Sequence, residues 1–139
     1  MIAAFLDRLR DRRRRGKWTD GLAAGRRGED LAHRFLRAQG FTVVARNYRL
    51  PSGDAEADLI AWEGEELVIV EVKTRETDDF GPPERAIDPE KERHIARVAR
   101  AFARKADVSW TQVRCDVVTV VLSEPPRIEL LRRAVRLPS

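Results

Sequence analysis

Apolar and polar positions alternate most regularly over residues 67–75, LVIVEVKTR. In a strand, Val68, Val70, Val72 and Thr74 face one side, and Leu67, Ile69, Glu71 and Lys73 the other. Apolar residues on both sides predict a central strand covered on both faces. A strand is also predicted at about 41–49 (FTVVARNYR), then a Pro/Gly turn at Leu50–Gly53 and a strand at about 56–62 (EADLIAW). Before these, Leu31, Ala32, Phe35 and Leu36 form the apolar stripe of a helix from about Arg26 to Gln39, entered through DGLAAG and stopped at Gly40. Residues 76–90, with three prolines and a glycine, read as a loop. A second helix is expected to about Lys105, with Ile95, Val98, Ala99 and Phe102 on one face. A strand at 113–122 follows, and after Pro125-Pro126 a short strand or helix. The order α-β-β-β-α-β predicts an α/β fold, a mixed central sheet flanked by helices.

A length of 139 residues suits one domain. The single cysteine, Cys115, excludes an internal disulfide and a thiolate zinc site, and points to a reducing, cytoplasmic setting. No apolar run approaches a membrane span, so no integral membrane segment is expected. The net charge of +4 is uneven. Residues 1–17 carry seven Arg/Lys against two Asp, so the rest of the chain is close to neutral. Residues 1–20 are therefore read as a basic N-terminal segment and 21–139 as the single domain. Ile2, Phe5, Leu6 and Leu9 have helical spacing there, so a solvated tail, a phosphate-binding arm and a membrane-surface helix remain open.

The chemistry gathers between residues 50 and 75. Leu50–Glu66 holds six acids and no base. Glu63, Glu65 and Glu66 lie in the turn, where solvation accounts for them. A hairpin centred on Gly64-Glu65 places Trp62 opposite Leu67, Asp58 opposite Glu71 and Glu56 opposite Lys73. Two facing carboxylates repel unless a positive group lies between them. A divalent cation such as Mg²⁺ or Mn²⁺ is one candidate. Lys73, bridging Asp58 and Glu71, is the other.

Asp58, a twelve-residue gap, then Glu71-Val72-Lys73 resembles the D…(D/E)-x-K signature of the PD-(D/E)XK nuclease superfamily. The wider pattern resembles the YraN-like family of small bacterial proteins, which are similar to Holliday junction resolvases. Its matching stretches are Gly25–Ala32, Arg46–Arg49, Glu56–Ala61, Val70–Arg75, Phe80-Gly81, Lys91 and Arg114–Val118, within about residues 22–122. Ala55 and Ala57 stand where that family has Gly and Ile, Cys115 replaces an aromatic, and the proline of "PD" is missing. The resemblance implies a restriction-endonuclease-like core. It also implies a metal-dependent endonuclease acting on DNA, branched or single-stranded, in repair or recombination.

Carried over by position, the resemblance makes Glu29, Asp58, Glu71 and Lys73 the catalytic set. Asp58, Glu71 and the Val72 carbonyl would hold Mg²⁺ or Mn²⁺. Helical geometry puts Glu29 at the edge of the apolar stripe, able to look toward the sheet; a first-turn glutamate favoured by the helix dipole is the plainer reading. Arg75 continues the Glu71–Lys73 face, and Lys91 projects to the apolar side of its helix. Arg93, Arg97, Arg100 and Arg104 fall within about 60° of one another on the opposite face, a stripe that is either solvated or phosphate-tracking. These six are the candidate nucleic-acid contacts. Asp116 reads as a structural ion-pair partner, and Trp62, Phe102 and Trp110 as core. A resolvase would need two sites and hence a homodimer. The alternative function is a non-catalytic nucleic-acid-binding or adaptor protein on a nuclease-like scaffold, its acids spent on ion pairs.

Overall fold

The computed structural model describes residues 18–77 and 89–138. The expectations for the basic arm, the proline-containing loop and Phe80-Gly81 fall outside them wholly or in large part. Helix α1 spans Trp18–Ala38, and strands β1 (Thr42–Arg49), β2 (Glu56–Glu63) and β3 (Glu66–Arg75) follow as an antiparallel meander. Helix α2 (Pro89–Ala106) crosses over to β4 (Val113–Val121), which pairs parallel to β3, and β5 (Arg127–Val135) returns antiparallel. The sheet order is β1-β2-β3-β4-β5, so β3 is central as its sequence requires. This is a mixed α/β sheet with a helix on each face, consistent with a restriction-endonuclease-like core. The undecided final segment is a strand. Among the described residues no helix is long and apolar enough to cross a membrane.

The two faces of β3 feed two cores. Val68, Val70 and Val72 pack with Leu59, Ala61, Val118 and Val120 against Ala32 and Leu36 of α1. Leu67 and Ile69 pack with Ile60, Cys115 and Val117 against Ile95, Val98 and Ala99 of α2. Glu71 and Lys73, next along that second face, are buried.

Helix α1 starts eight residues before the expected Arg26. DGLAAG reads locally as a break, but its alanines favour helix and tertiary packing overrides its glycines. Gly28 shows the reason for a small residue: a Cβ there would lie 1.9 Å from Thr74 Oγ1. The helix can rest this close to β3 only without that carbon. Its C-terminus closes as expected, with Gly40 at φ +98 and the Phe41 N–H bonded to the Leu36 carbonyl at 2.9 Å.

Two of the three acids at the β2–β3 turn, Glu63 and Glu66, are not simply solvated, in contrast to the sequence expectation, while Glu65 is exposed. Arg114 of β4 reaches Glu63 and Glu66, and Arg132 and Arg133 of β5 bind the same two glutamates. The Arg132 hydrogen bond leads in holding the Glu63 carboxyl down at about 2. Asp116, fully buried, accepts from Arg114 Nε at 3.1 Å and from the Arg133 N–H at 2.9 Å. It is the structural partner expected. The turn glutamates gain cations because parallel pairing brings the start of β4 beside the start of β3.

Candidate metal and catalytic site

The β2–β3 ladder keeps the predicted register, from Glu63↔Glu66 through Trp62↔Leu67 to Leu59↔Val70. The backbone pairing ends there, one step before Asp58 would meet Glu71. Beyond the last pair, the Val72 N–H donates to Asp58 Oδ2 at 2.8 Å. A side chain thus satisfies an amide that the ladder no longer serves. On its other edge β3 stays paired to β4 as far as Arg75↔Val121. The two carboxyls therefore sit at a fork, where β3 has parted from β2 and is still held by β4.

The expected pairing of Glu56 with Lys73 does not form part of this ladder. Glu56 lies across β1 from Arg49 and binds its guanidinium at 2.9 Å. The fork is the physical reason: a register extrapolated past Leu59 and Val70 no longer describes neighbours.

Asp58 and Glu71 nevertheless meet through their side chains. Burial raises the Glu71 pKa well above the usual carboxylate value, and the Asp58 charge and a hydrogen bond to it raise it further. Asp58 is pushed up to about 6, first by burial and then by Glu29, against the lowering effects of the Val72 N–H, Lys91 and the Glu71 bond. Its residue surface is only half-buried, but protein atoms crowd the carboxyl itself. Glu71 Oε1 is buried with no hydrogen-bond partner. The pair therefore resists carrying two negative charges and leaves one buried oxygen unsatisfied, a costly arrangement for a purely structural pair.

The remaining predicted residues divide. Lys73 is buried on the Glu71 face of β3. Lys91, buried in the first turn of α2, is a cation whose field reaches Asp58, Glu71 and Cys115. Its place on the apolar side of α2, as periodicity indicates, sets it with the acid pair and apart from the outer arginines, although all were candidate nucleic-acid contacts. Glu29 acts on Asp58 electrostatically and is held from β1, by Asn47 Nδ2 at 3.4 Å and Arg46 at 3.6 Å. Asn47 has φ 50, a left-handed backbone that asparagine tolerates. Neither this clamp nor the Gly28–Thr74 contact was legible locally, although both lie within stretches of the family pattern. Arg75 is half-buried at the end of β3.

Of the arginine stripe, Arg93 and Arg104 are exposed. Arg97 is bound by Asp54 at 2.9 Å, and Arg100 donates to the Pro138 carbonyl at 2.9 Å and stacks over Trp110 at 4.3 Å. Trp62, Phe102 and Trp110 are partly buried against the core, as expected. Among the described residues no group of three or more His, Cys, Asp or Glu gathers as a metal site. A cation at the fork would have to be held by two carboxylates, a carbonyl and water. That set suits Mg²⁺, which commonly keeps several waters and takes one or two carboxylates.

The fold and the fork together define a mixed α/β protein, consistent with a restriction-endonuclease-like core, with a crowded acid pair beside lysines. The sequence model of "Uncharacterised protein family UPF0102" matches residues 28–120. Relatives described as UPF0102 proteins include one from Solibacter usitatus, 54% identical over 96% of this chain and 99% of its own length. Another, from Koribacter versatilis, is 46% identical over 81% of this chain and 79% of its own length. A third, from Desulfosudis oleivorans, is 41% identical over 79% and 87%. The chain belongs to family UPF0102.

Proposed function

We propose that this protein is a metal-dependent phosphodiesterase acting on DNA, with its site at the β2–β3 fork. The observation that carries the reading is the Asp58–Glu71 pair, two crowded carboxyls in mutual contact with Glu71 Oε1 unpartnered. Retaining such a pair costs stability, and a cation offsets that cost. The donors fit Mg²⁺ or Mn²⁺: Asp58, Glu71 and the Val72 carbonyl. Such an ion, when bound, supplies Lewis-acid polarisation of a phosphoryl oxygen and a more acidic water. Lys73 and Lys91 stabilise negative charge developing on the phosphate. Glu29, clamped by Asn47 and Arg46, adds a carboxylate whose charge reaches Asp58. Asp58 is also fixed by the Val72 N–H, so its orientation needs no search when substrate arrives.

The test is incubation of the pure protein with Mg²⁺ or Mn²⁺ and single-stranded, flapped and four-way DNA. Cleavage that is lost in Glu71→Ala supports the assignment. No cleavage of any substrate, or undiminished cleavage by Glu71→Ala, refutes it. A non-catalytic nucleic-acid-binding or adaptor role is the second reading, and the acids of β2 and β3 spent on ion pairs, Glu56 with Arg49 and Glu63 and Glu66 with Arg114, favour it. Calorimetric titration with Mn²⁺ separates the two: the enzyme binds the ion through Asp58 and the adaptor does not.

A further inference from the structure

Outside the fork, the outer side of α2 bounds an open cleft of about 690 Å³. Arg93, Arg97 and Arg100 line it at i, i+4 and i+7, and His94 lies among them. Glu90 stands at its helix-start end, next to Lys91 in sequence, and Asp54 enters from the β1–β2 turn, four residues before Asp58. Each wall of the cleft thus lies close in sequence to a residue of the acid site, Glu90 to Lys91 and Asp54 to Asp58. Arg104, grouped with these arginines by its position on the helix, does not line it.

Two of the three guanidiniums are already held in place. Arg100 is anchored by the Pro138 carbonyl and the Trp110 ring, and Arg97 by Asp54. A planar guanidinium fixed in this way loses little freedom on binding an anion. The two anchors differ in kind. The carbonyl and ring that hold Arg100 carry no net charge, whereas Arg97 is met by the carboxylate of Asp54. Ser52 and Arg97 both hold the Asp54 pKa below its ordinary value, so Asp54 stays an anion. Asp54 therefore occupies the place a phosphate oxygen would take.

We infer that this cleft is a phosphate-binding groove for a nucleic-acid backbone, and that Asp54 is its internal competitor, released from Arg97 when a phosphodiester enters. The choice of a nucleic-acid backbone over another phosphate rests on the function proposed above. The cationic cleft and its carboxylate plug stand on their own residues.

The experiment is fluorescence anisotropy with labelled single-stranded and duplex DNA, in chelator, across a salt series. Asp54→Asn is expected to bind about two- to five-fold more tightly than wild type, the worth of one exposed ion pair. Arg97→Ala and Arg93→Ala are expected to bind more weakly, each lowering the slope of log affinity against log salt by roughly 0.7 to 0.9. Lys105→Ala, in the last turn and outside the cleft, leaves both quantities unchanged. Unchanged or weaker binding by Asp54→Asn, or wild-type binding by the arginine variants, overturns the inference. Inorganic phosphate that competes as well as DNA at equal phosphate concentration overturns the backbone assignment and leaves a small-anion site. Glu71→Gln, assayed in parallel for cleavage with Mg²⁺, keeps the readings separable. Binding through the cleft without cleavage by wild type refutes the hydrolase alone. Cleavage with unaltered binding in the arginine variants refutes the groove alone.

Discussion

Replacing Asp58 by Asn removes the charge that its surroundings oppose and keeps an oxygen able to accept the Val72 N–H. Asp58 titrates at about 6 in the fold, against an ordinary 3.8. A tenfold change in proton affinity is worth about 1.4 kcal/mol, so the ionised form carries a folded-state penalty of about 3 kcal/mol. The sign follows from proton binding. The folded chain holds this proton more tightly than the unfolded chain does. Its contribution is thus fully present below about pH 4 and is lost as pH rises through about 6. The amide never ionises and loses nothing. Urea unfolding in the presence of a chelator measures the difference by linear extrapolation. Wild type and Asp58→Asn are expected to be nearly equal at pH about 4, and the variant more stable by about 2–3 kcal/mol at pH about 8. In thermal melts at the higher pH the gap is on the order of 10 °C. A variant less stable than wild type at the higher pH, or a gap that does not grow with pH, refutes the picture of a crowded, reluctantly ionised carboxyl. If the picture holds, the chain retains a carboxylate where an amide folds better, and function is the reason such a cost persists.

Gly28→Ala drives a methyl into Thr74, and the overpacking is expected to cost about 1–3 kcal/mol net of helix propensity. Shrinking the obstacle with Thr74→Gly recovers part of that loss, a coupling that a double-mutant unfolding cycle reads directly. Arg114→Met leaves the fully buried Asp116 its bond from the Arg133 N–H but no guanidinium, and takes from Glu63 and Glu66 one of the two arginines that each binds, so unfolding in urea is expected to show a loss of about 3–5 kcal/mol. Asp116→Asn combined with it restores part of the stability by removing the uncompensated charge. Mn²⁺ is expected to raise the melting temperature of wild type in proportion to the logarithm of its concentration, and to leave that of Asp58→Asn/Glu71→Gln unmoved. An equal rise in both proteins refutes binding at the fork.

Much of this molecule is settled by local rules. LVIVEVKTR alternates with both faces apolar, and a strand of that kind has to be central, between two helices. Gly64 and Glu65 form a two-residue turn, and turn length sets register. That register sets Asp58 opposite Glu71 from the sequence alone. Gly40 ends the first helix because it accepts a left-handed backbone without a steric cost. Lys91 falls on the apolar side of its helix by periodicity alone.

What local rules left open depends on which strands part and which segments cross. Backbone pairing stops at Leu59↔Val70, and no sequence signal marks where a twisted sheet splits; Glu56 consequently pairs with Arg49 and not with Lys73. DGLAAG is helical because α1 packs closely on the sheet, a long-range contact that outweighs intrinsic propensity. The turn glutamates bind Arg114, Arg132 and Arg133, and Arg97 finds Asp54, across separations of forty to seventy residues. Periodicity assigns a side chain to a face. Only the folded chain decides which distant charge meets it there, because Coulomb energy depends on separation in space and on the surrounding dielectric, and spacing along the chain specifies neither.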